Sequence, residues 1–216
     1  MKYRSLYIIA LLFAFFIFSS DSCDSTVEEK QKRKKERFLQ KMETIKDGFE
    51  SDYLTETAKI AFEEKAKQKL VDFTDYFTIY SDKTLDTLFR EKTGEMMLDL
   101  FYKSETKMEF KLDDCEKRIP MDTKELMDRL QKSKYDVLQL NADSIQTFTG
   151  LERINESTYM GILSYIQSIK GIMGNDTILI DVTTMQSEFY VMKVMKNFGT
   201  ESKRIWKVFL DNMVKY

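Results

Sequence analysis

The side chains that could do chemistry in this chain are carboxylates, tyrosines and two cysteines, because the sequence contains no histidine. Histidine is the usual general base near neutral pH and the commonest metal ligand in proteins. Cys115 lies in LDDCEK beside Asp113, Asp114 and Glu116, and this negative charge disfavours the thiolate that nucleophilic catalysis requires. Adjacent acids such as Asp113 and Asp114 are usually solvated loop charges. The sequence therefore predicts neither a catalytic cysteine nor a metal site.

A pocket of carboxylates and tyrosines is the other catalytic candidate. Its members would be Asp136, Asp143 or Asp181 with Tyr159 or Tyr165. We expect these acids to lie at exposed strand ends instead. The sequence has no Walker loop, no GxGxxG and no CxxC, so it predicts no cofactor. These observations favour a binding module over an enzyme.

The first 22 residues have the pattern of an export signal. Lys2 and Arg4 precede a twelve-residue apolar run, YIIALLFAFFIF at 7–18, and serines follow it. About 20 apolar residues are needed to span a bilayer, so this run fits the core of a signal peptide better than a transmembrane helix. We therefore predict a signal peptide at 1–22.

Cys23 follows directly, and this order of charge, apolar core, small residues and cysteine resembles a bacterial lipoprotein signal. The resemblance implies that Cys23 becomes the first mature residue and carries acyl chains that anchor the chain to a membrane. Ser20 and Ser22 stand where such signals usually have Leu and Ala or Gly. A second interpretation therefore stays open, in which the protein is secreted with a Cys23–Cys115 disulfide.

Residues 23–48 are predicted to be a tether with a charged helical arm. Residues 28–41 hold seven Lys or Arg and three Glu, a composition typical of a solvated helix that spaces a domain from its anchor. The whole chain has a net charge of only −2, so no basic footprint for nucleic acid is expected.

Residues 49–216 are predicted to form a single α+β domain that begins with two amphipathic helices. The apolar residues of the first helix recur at helical spacing, and those of the second are predicted to lie on one buried face. Ser81 and Asp82 should form the turn or N-cap between the two helices. Gly94 weakens the second helix, which suggests a close contact there. The predicted inward residues are Leu54, Ala58, Phe62, Ala66, Leu70, Phe73 and Phe77, then Leu85, Leu88, Phe89, Met96, Leu100 and Phe101.

The second half of the domain is predicted to be mainly strands. Met108, Phe110 and Leu112 alternate with polar residues, which predicts a strand with one buried face. Asp122 should cap a short helix that buries Leu126 and Leu130. From residue 135 onward, β-branched and aromatic residues dominate, which predicts further strands. The stretch 157–170 fits either a helix or a strand, and we favour a strand. Trp206 is expected to pack against the helices.

Helices followed by antiparallel strands predict helices packed on one face of a sheet. This order, with the closing hairpin YVMKVMKNFGTESKRIWKVFL, resembles the nuclear-transport-factor-two-like (cystatin-like) family. The resemblance implies a curved, cone-like sheet whose mouth can hold a ligand, in enzymes and in binding modules alike. We therefore expect a membrane-tethered binding or accessory module of the cell envelope that takes a small hydrophobic ligand or an envelope protein. The alternatives are a secreted disulfide-bonded binding protein and a carboxylate and tyrosine enzyme of the same fold.

Overall fold

Helices pack on one face of a curved, six-stranded sheet in the computed structural model, which describes residues 32–36, 53–103, 106–199 and 201–216. The predicted signal peptide and Cys23 lie outside the described residues. Residues 32–36 are helical and exposed, and none of the described helices is both long and apolar enough to cross a membrane. The rest of the described chain belongs to a separate compact unit, Gly48–Tyr216. Its elements are α1 (Glu56–Ser81), α2 (Thr87–Leu98), β1 (Met108–Phe110), β2 (Ile119–Met121), α3 (Thr123–Lys132), β3 (Val137–Asn155), β4 (Thr158–Met173), β5 (Asp176–Phe198) and β6 (Glu201–Lys215).

Four long antiparallel strands make up most of the sheet, whose spatial order is β2-β1-β6-β5-β4-β3. Strand β3 pairs with β4, β4 with β5, and β5 with β6, each time as an antiparallel hairpin. Among the described strands, only β1 runs parallel to its neighbour, which is β6. All of the stretch 157–170 except Ser157 lies in β4, so the predicted strand is confirmed. The β5–β6 hairpin is also confirmed, and its turn places Gly199 at a φ of 64°, where glycine is favoured.

Helix α1 buries the face that the sequence predicts. Thr55 caps its first turn by accepting a hydrogen bond from the Ala58 backbone N–H at 3.2 Å. The rings of Phe73 and Phe77 then meet Phe110 of β1, with the Phe77 and Phe110 centroids 5.7 Å apart. The predicted residues that this face buries are Phe62, Ala66, Leu70, Phe73 and Phe77; Leu54, just before the helix, is also buried, and Ala58 is partly buried against the core.

The same helix also covers the open edge of β3. Ser81 Oγ accepts a hydrogen bond from the Leu138 backbone N–H at 3.0 Å, and Thr78 Oγ1 accepts one from Leu140 at 3.1 Å. Farther along the edge, Glu63 accepts a hydrogen bond from the Leu151 N–H at 2.9 Å. These side chains satisfy backbone donors that would otherwise form an exposed strand edge.

The prediction for α2 is partly wrong: Leu100 and Phe101 are buried as predicted, but they lie beyond the end of the helix, and the helix itself buries a different face. Leu88, Phe89 and Met96 are exposed by 75%, 54% and 43%, whereas Gly94 and Met97 face the core. A Cβ atom on Gly94 would lie 2.7 Å from the Tyr80 ring, so the absent side chain is what allows α2 to approach α1. The predicted close contact at Gly94 is therefore confirmed.

The turn before α2 is partly as predicted. Asp82 ends α1 and accepts a hydrogen bond from the Thr84 backbone N–H at 2.9 Å in the turn, whereas Ser81 is buried within the last turn of α1. The N-cap of α2 is Asp86, whose carboxylate accepts hydrogen bonds from the Leu88 and Phe89 backbone N–H groups. The two caps are only four residues apart, so spacing alone did not separate them.

The smaller elements follow the sequence closely. Met108 and Phe110 of β1 are fully buried. Asp122 caps α3 by accepting a hydrogen bond from the Glu125 N–H at 2.8 Å, and this helix buries Leu126 and Leu130.

Candidate functional site

Strand β4 places alternate side chains against the helices, and two of these inward side chains are polar. Tyr159, Leu163 and Ile169 belong to the apolar core, whereas Tyr165 and Gln167 bring a phenol and an amide into the same row. Their exposed fractions are only 2% and 1%. A period of two along a strand fixes this placement, because residues two apart share a face.

Three buried polar atoms of these two residues have no hydrogen-bond partner in the described part of the chain. They are the Tyr165 hydroxyl and both the nitrogen and the oxygen of the Gln167 amide. More than nine-tenths of buried polar groups in folded proteins are paired, because a buried group without a partner costs about 1–3 kcal/mol. These three atoms on neighbouring inward positions therefore require hydrogen-bond partners that the described part of the chain does not supply.

Arg118 brings a positive charge to the adjacent part of β5. Its Nη1 donates to the Glu109 carbonyl at 2.8 Å and to Met185 Sδ at 3.4 Å, while Nη2 donates to the Asp181 carboxylate. The side chains of this ion pair are exposed by only 14% and 15%. Buried pairs of this kind persist when both partners are hydrogen-bonded, as they are here.

The strand register brings these groups together. Tyr165 lies opposite Met185, and Gln167 lies opposite Thr183, two residues from Asp181 on β5. The guanidinium of Arg118 contacts both Met185 and Asp181, so it stands over β5 beside the two unpaired side chains. We call Arg118, Asp181, Tyr165 and Gln167 the interior polar cluster.

The cluster is built to donate and accept hydrogen bonds rather than to move protons. Burial raises the pKa of Tyr165 above its ordinary value, and the positive charge of Arg118 only partly opposes this. The phenol therefore stays protonated at neutral pH. Asp181 is held by Arg118, so its carboxylate is already engaged.

The predicted carboxylate and tyrosine group is only partly assembled. Asp181 and Tyr165 do share the interior polar cluster, so the expectation that Asp181 lies at an exposed strand end is wrong. Asp136 instead accepts a hydrogen bond from the Gly174 N–H at 2.8 Å, in the turn between β4 and β5, and Asp143 is exposed. Tyr159 lies elsewhere, where its hydroxyl accepts a hydrogen bond from the Leu54 N–H at 3.3 Å.

Cys115 and its acidic neighbours form a separate exposed group. Lys134 Nζ donates to Asp113 at 2.9 Å and to Asp114 at 2.7 Å, beside a cavity of about 380 Å³. The hydrogen bond from Lys134 holds the pKa of Asp114 below its usual range, and hydrogen bonds to the two acids raise the pKa of Lys134. Ligand atoms of Asp113, Asp114 and Cys115 lie within 4.8 Å of one another, but Lys134 already donates a hydrogen bond to each of the two carboxylates.

Two members of the interior polar cluster, Arg118 and Gln167, are not among the residues that sequence reasoning selected. Gln167 carries a signal once 157–170 is taken as a strand, since it is then a polar residue on the apolar face of β4. Arg118 carries none, because its partners Asp181 and Met185 are more than 60 residues away along the chain.

Comparison with known proteins shows similarity to a solved structure. No protein-family model and no curated protein matches the chain. A crystal structure of "Putative Scytalone Dehydratase" from Novosphingobium aromaticivorans is similar with a TM-score of 0.39 and 10% sequence identity. The similarity covers 74% of this chain and 91% of that one.

Proposed function

We propose that this protein is a membrane-tethered binding module of the cell envelope whose interior polar cluster receives a small, mostly apolar molecule. The observation that supports this most strongly is the set of three unpaired atoms on Tyr165 and Gln167. A ligand that supplies their missing hydrogen bonds would offset the cost of burying them.

The chemistry of the cluster defines the ligand class. Tyr165 offers a hydroxyl, and Gln167 offers a donor and an acceptor on one planar amide. The neighbouring inward side chains Leu163, Ile169 and Met185 are fully buried and apolar. The matching molecule is therefore an apolar body that carries one carbonyl or hydroxyl group.

Binding explains the cluster better than catalysis does. A general base must give up or take a proton near the working pH, whereas Tyr165 stays protonated and Asp181 is held by Arg118. The chain has no histidine to serve in their place. The resemblance to the nuclear-transport-factor-two-like family allows both roles, so this proposal depends on the state of the cluster residues.

Ligand binding can be tested with a neutral apolar fluorophore, N-phenyl-1-naphthylamine. We expect 2-octanone to displace it from the protein, and octane to do so much more weakly, because only the ketone can accept a hydrogen bond. Gln167→Leu should remove this preference for the ketone. Ser168→Ala is the matched control, since this neighbour lies on the opposite face of β4. Equal displacement by both compounds would contradict the proposal.

The tether is proposed from the pattern at 1–22 and from Cys23. Its test is the intact mass of the protein from its native membrane fraction, with Cys23→Ser as control. We expect a chain that begins at residue 23 and carries acyl chains, which the control lacks. A mass two hydrogens below that of the reduced, unmodified chain would instead establish the secreted form with a Cys23–Cys115 disulfide.

A further inference from the structure

A basic pocket of about 390 Å³ lies at the end of the sheet where the β5–β6 hairpin meets the turn between β3 and β4. Its lining contains three cationic side chains and a single carboxylate, that of Glu156. We call this site the basic pocket; it is lined by Tyr53, Arg153, Glu156, Ser157, Lys193 and Arg204.

The strand register places the three cations on the helix-facing side of the sheet. Arg153 lies opposite the buried Tyr159, and Lys193 lies opposite the buried Trp206. Arg204 is two residues before Trp206 on β6, so the two side chains share a face. The rings of Tyr159 and Trp206 meet edge to face, with centroids 5.4 Å apart. The cations therefore stand at the border of the aromatic core.

Aromatic contacts hold two of the cations in place. The Arg153 guanidinium lies 4.4 Å from the centroid of the Tyr53 ring, and Lys193 Nζ lies 5.2 Å from that of Trp206. Arg153 Nε also donates to the Asn155 carbonyl at 3.0 Å. Cation–π contacts of this kind contribute about 0.5–1 kcal/mol each at exposed sites, and they orient a cation without neutralising it.

We propose that the basic pocket binds the oxygens of a phosphoryl group. Two guanidinium groups and one ammonium group converge on the pocket against one carboxylate, which leaves an excess of positive charge. Guanidinium groups match the geometry of phosphate oxygens, and an ammonium adds a compact charge to the same anion.

The basic pocket is distinct from the interior polar cluster. Tyr159 and Tyr165 are six residues apart on β4, which is about 20 Å along a strand. The inference therefore does not depend on the ligand proposed for the cluster, and failure of one leaves the other intact.

A phosphoryl group could come from a soluble molecule or from a lipid headgroup. Tyr53, which is where the described part of this compact unit begins, lines the pocket itself. The predicted anchor Cys23 lies 30 residues earlier (53 − 23), a length that can span up to about 100 Å when extended. The lipid source rests on the proposed tether, whereas the anion site does not.

Trp206 provides a probe inside the protein, since it is the only tryptophan and lies beside Lys193. Sodium phosphate is titrated into the full chain in neutral dodecyl maltoside micelles at constant ionic strength, with Trp206 emission and calorimetry as readouts. In parallel, the micelles are doped with phosphatidylglycerol or with phosphatidylcholine. We expect a saturable response to phosphate or to phosphatidylglycerol, and the arm that responds identifies the source.

The variants decide whether the response belongs to this pocket. Arg204→Gln should weaken binding about tenfold or more, as expected for loss of a charge-assisted contact. Arg204 has no hydrogen bond or ion pair to a described residue, so this change should leave folding intact. Lys207→Gln is the matched control, because it also removes one positive charge from β6, but on the opposite face, where Lys207 lies over the Phe209 ring. No calorimetric binding in any arm, or equal weakening in both variants, would overturn the proposal.

Discussion

Tyr165→Phe removes one oxygen atom from the middle of β4, and that oxygen has no hydrogen-bond partner among the described residues. An unpaired buried hydroxyl costs about 1–3 kcal/mol, so its removal stabilises the folded state, and the small void that it leaves reduces this stabilisation in part. We therefore expect the free energy of unfolding to rise by about 1–2 kcal/mol. For a domain of this size, that corresponds to an increase in Tm of roughly 2–8 °C.

Tyr159→Phe is a control on the same face of the same strand. Its hydroxyl is also buried, but it accepts a hydrogen bond from the Leu54 N–H at 3.3 Å. Removing a paired group should lower the free energy of unfolding by about 0.5–1.5 kcal/mol, because the Leu54 donor is then left unsatisfied. Two identical substitutions, six residues apart, are thus expected to change stability in opposite directions.

Urea and thermal unfolding followed by circular dichroism measure both variants. Because the pKa of Tyr165 is raised in the folded protein, the unfolded state releases this proton first as the pH rises above about 10. Wild-type stability should therefore fall in that range more than that of Tyr165→Phe, and the gap between them should widen. If Tyr165→Phe is destabilised as much as Tyr159→Phe, the Tyr165 hydroxyl already has a partner and the argument for an open polar site fails.

Three further predictions concern packing, capping and charge. Gly94→Ala should lower the free energy of unfolding by about 1–3 kcal/mol, and with it Tm, because the new Cβ meets the Tyr80 ring. Glu91→Ala, on the exposed side of α2, should leave Tm unchanged, and equal Tm values for the two variants would contradict this. Asp122→Ala should cost about 0.5–2 kcal/mol in urea unfolding through loss of the α3 cap, and an unchanged midpoint would refute that role. The Asp114 carboxyl should titrate at a lower pH than an ordinary aspartate in a carbon-detected NMR titration, and Lys134→Ala should return its pKa towards the ordinary value. The same titration curve in both proteins would show that Lys134 is not the cause.

The sequence predicts α1 and α2 with different success for a physical reason. The inward residues of α1 recur at three- and four-residue intervals from Phe62 to Phe77, and this long run defines a single buried face. In α2 both faces carry apolar residues, and Met96 and Met97 are neighbours that point in different directions. The buried face is selected by Gly94, which permits contact with α1, and counting apolar residues overlooks a residue without a side chain.

The interior polar cluster was partly within reach of the sequence. Tyr165 and Asp181 could be selected by residue type, but their convergence depends on the register between β4 and β5. A shift of one residue would turn Tyr165 and Gln167 to the outer face of the sheet. The contact from Arg118 additionally depends on the path of the chain before β2, which local patterns do not determine.

The cost of the unpaired atoms also constrains how the protein works. Native domains are stable by only about 5–15 kcal/mol, so three unsatisfied atoms on Tyr165 and Gln167 consume a substantial part of that margin. Sequence changes to Phe and Leu would recover it without altering the strand, which makes the polar pair a poor choice for stability alone. A ligand that binds only the folded state would add RT ln(1 + [L]/Kd), about 2.7 kcal/mol at a hundredfold excess over Kd. The same two side chains would then make the empty domain marginal and the occupied domain stable, so occupancy of the cluster should be visible as a large rise in Tm.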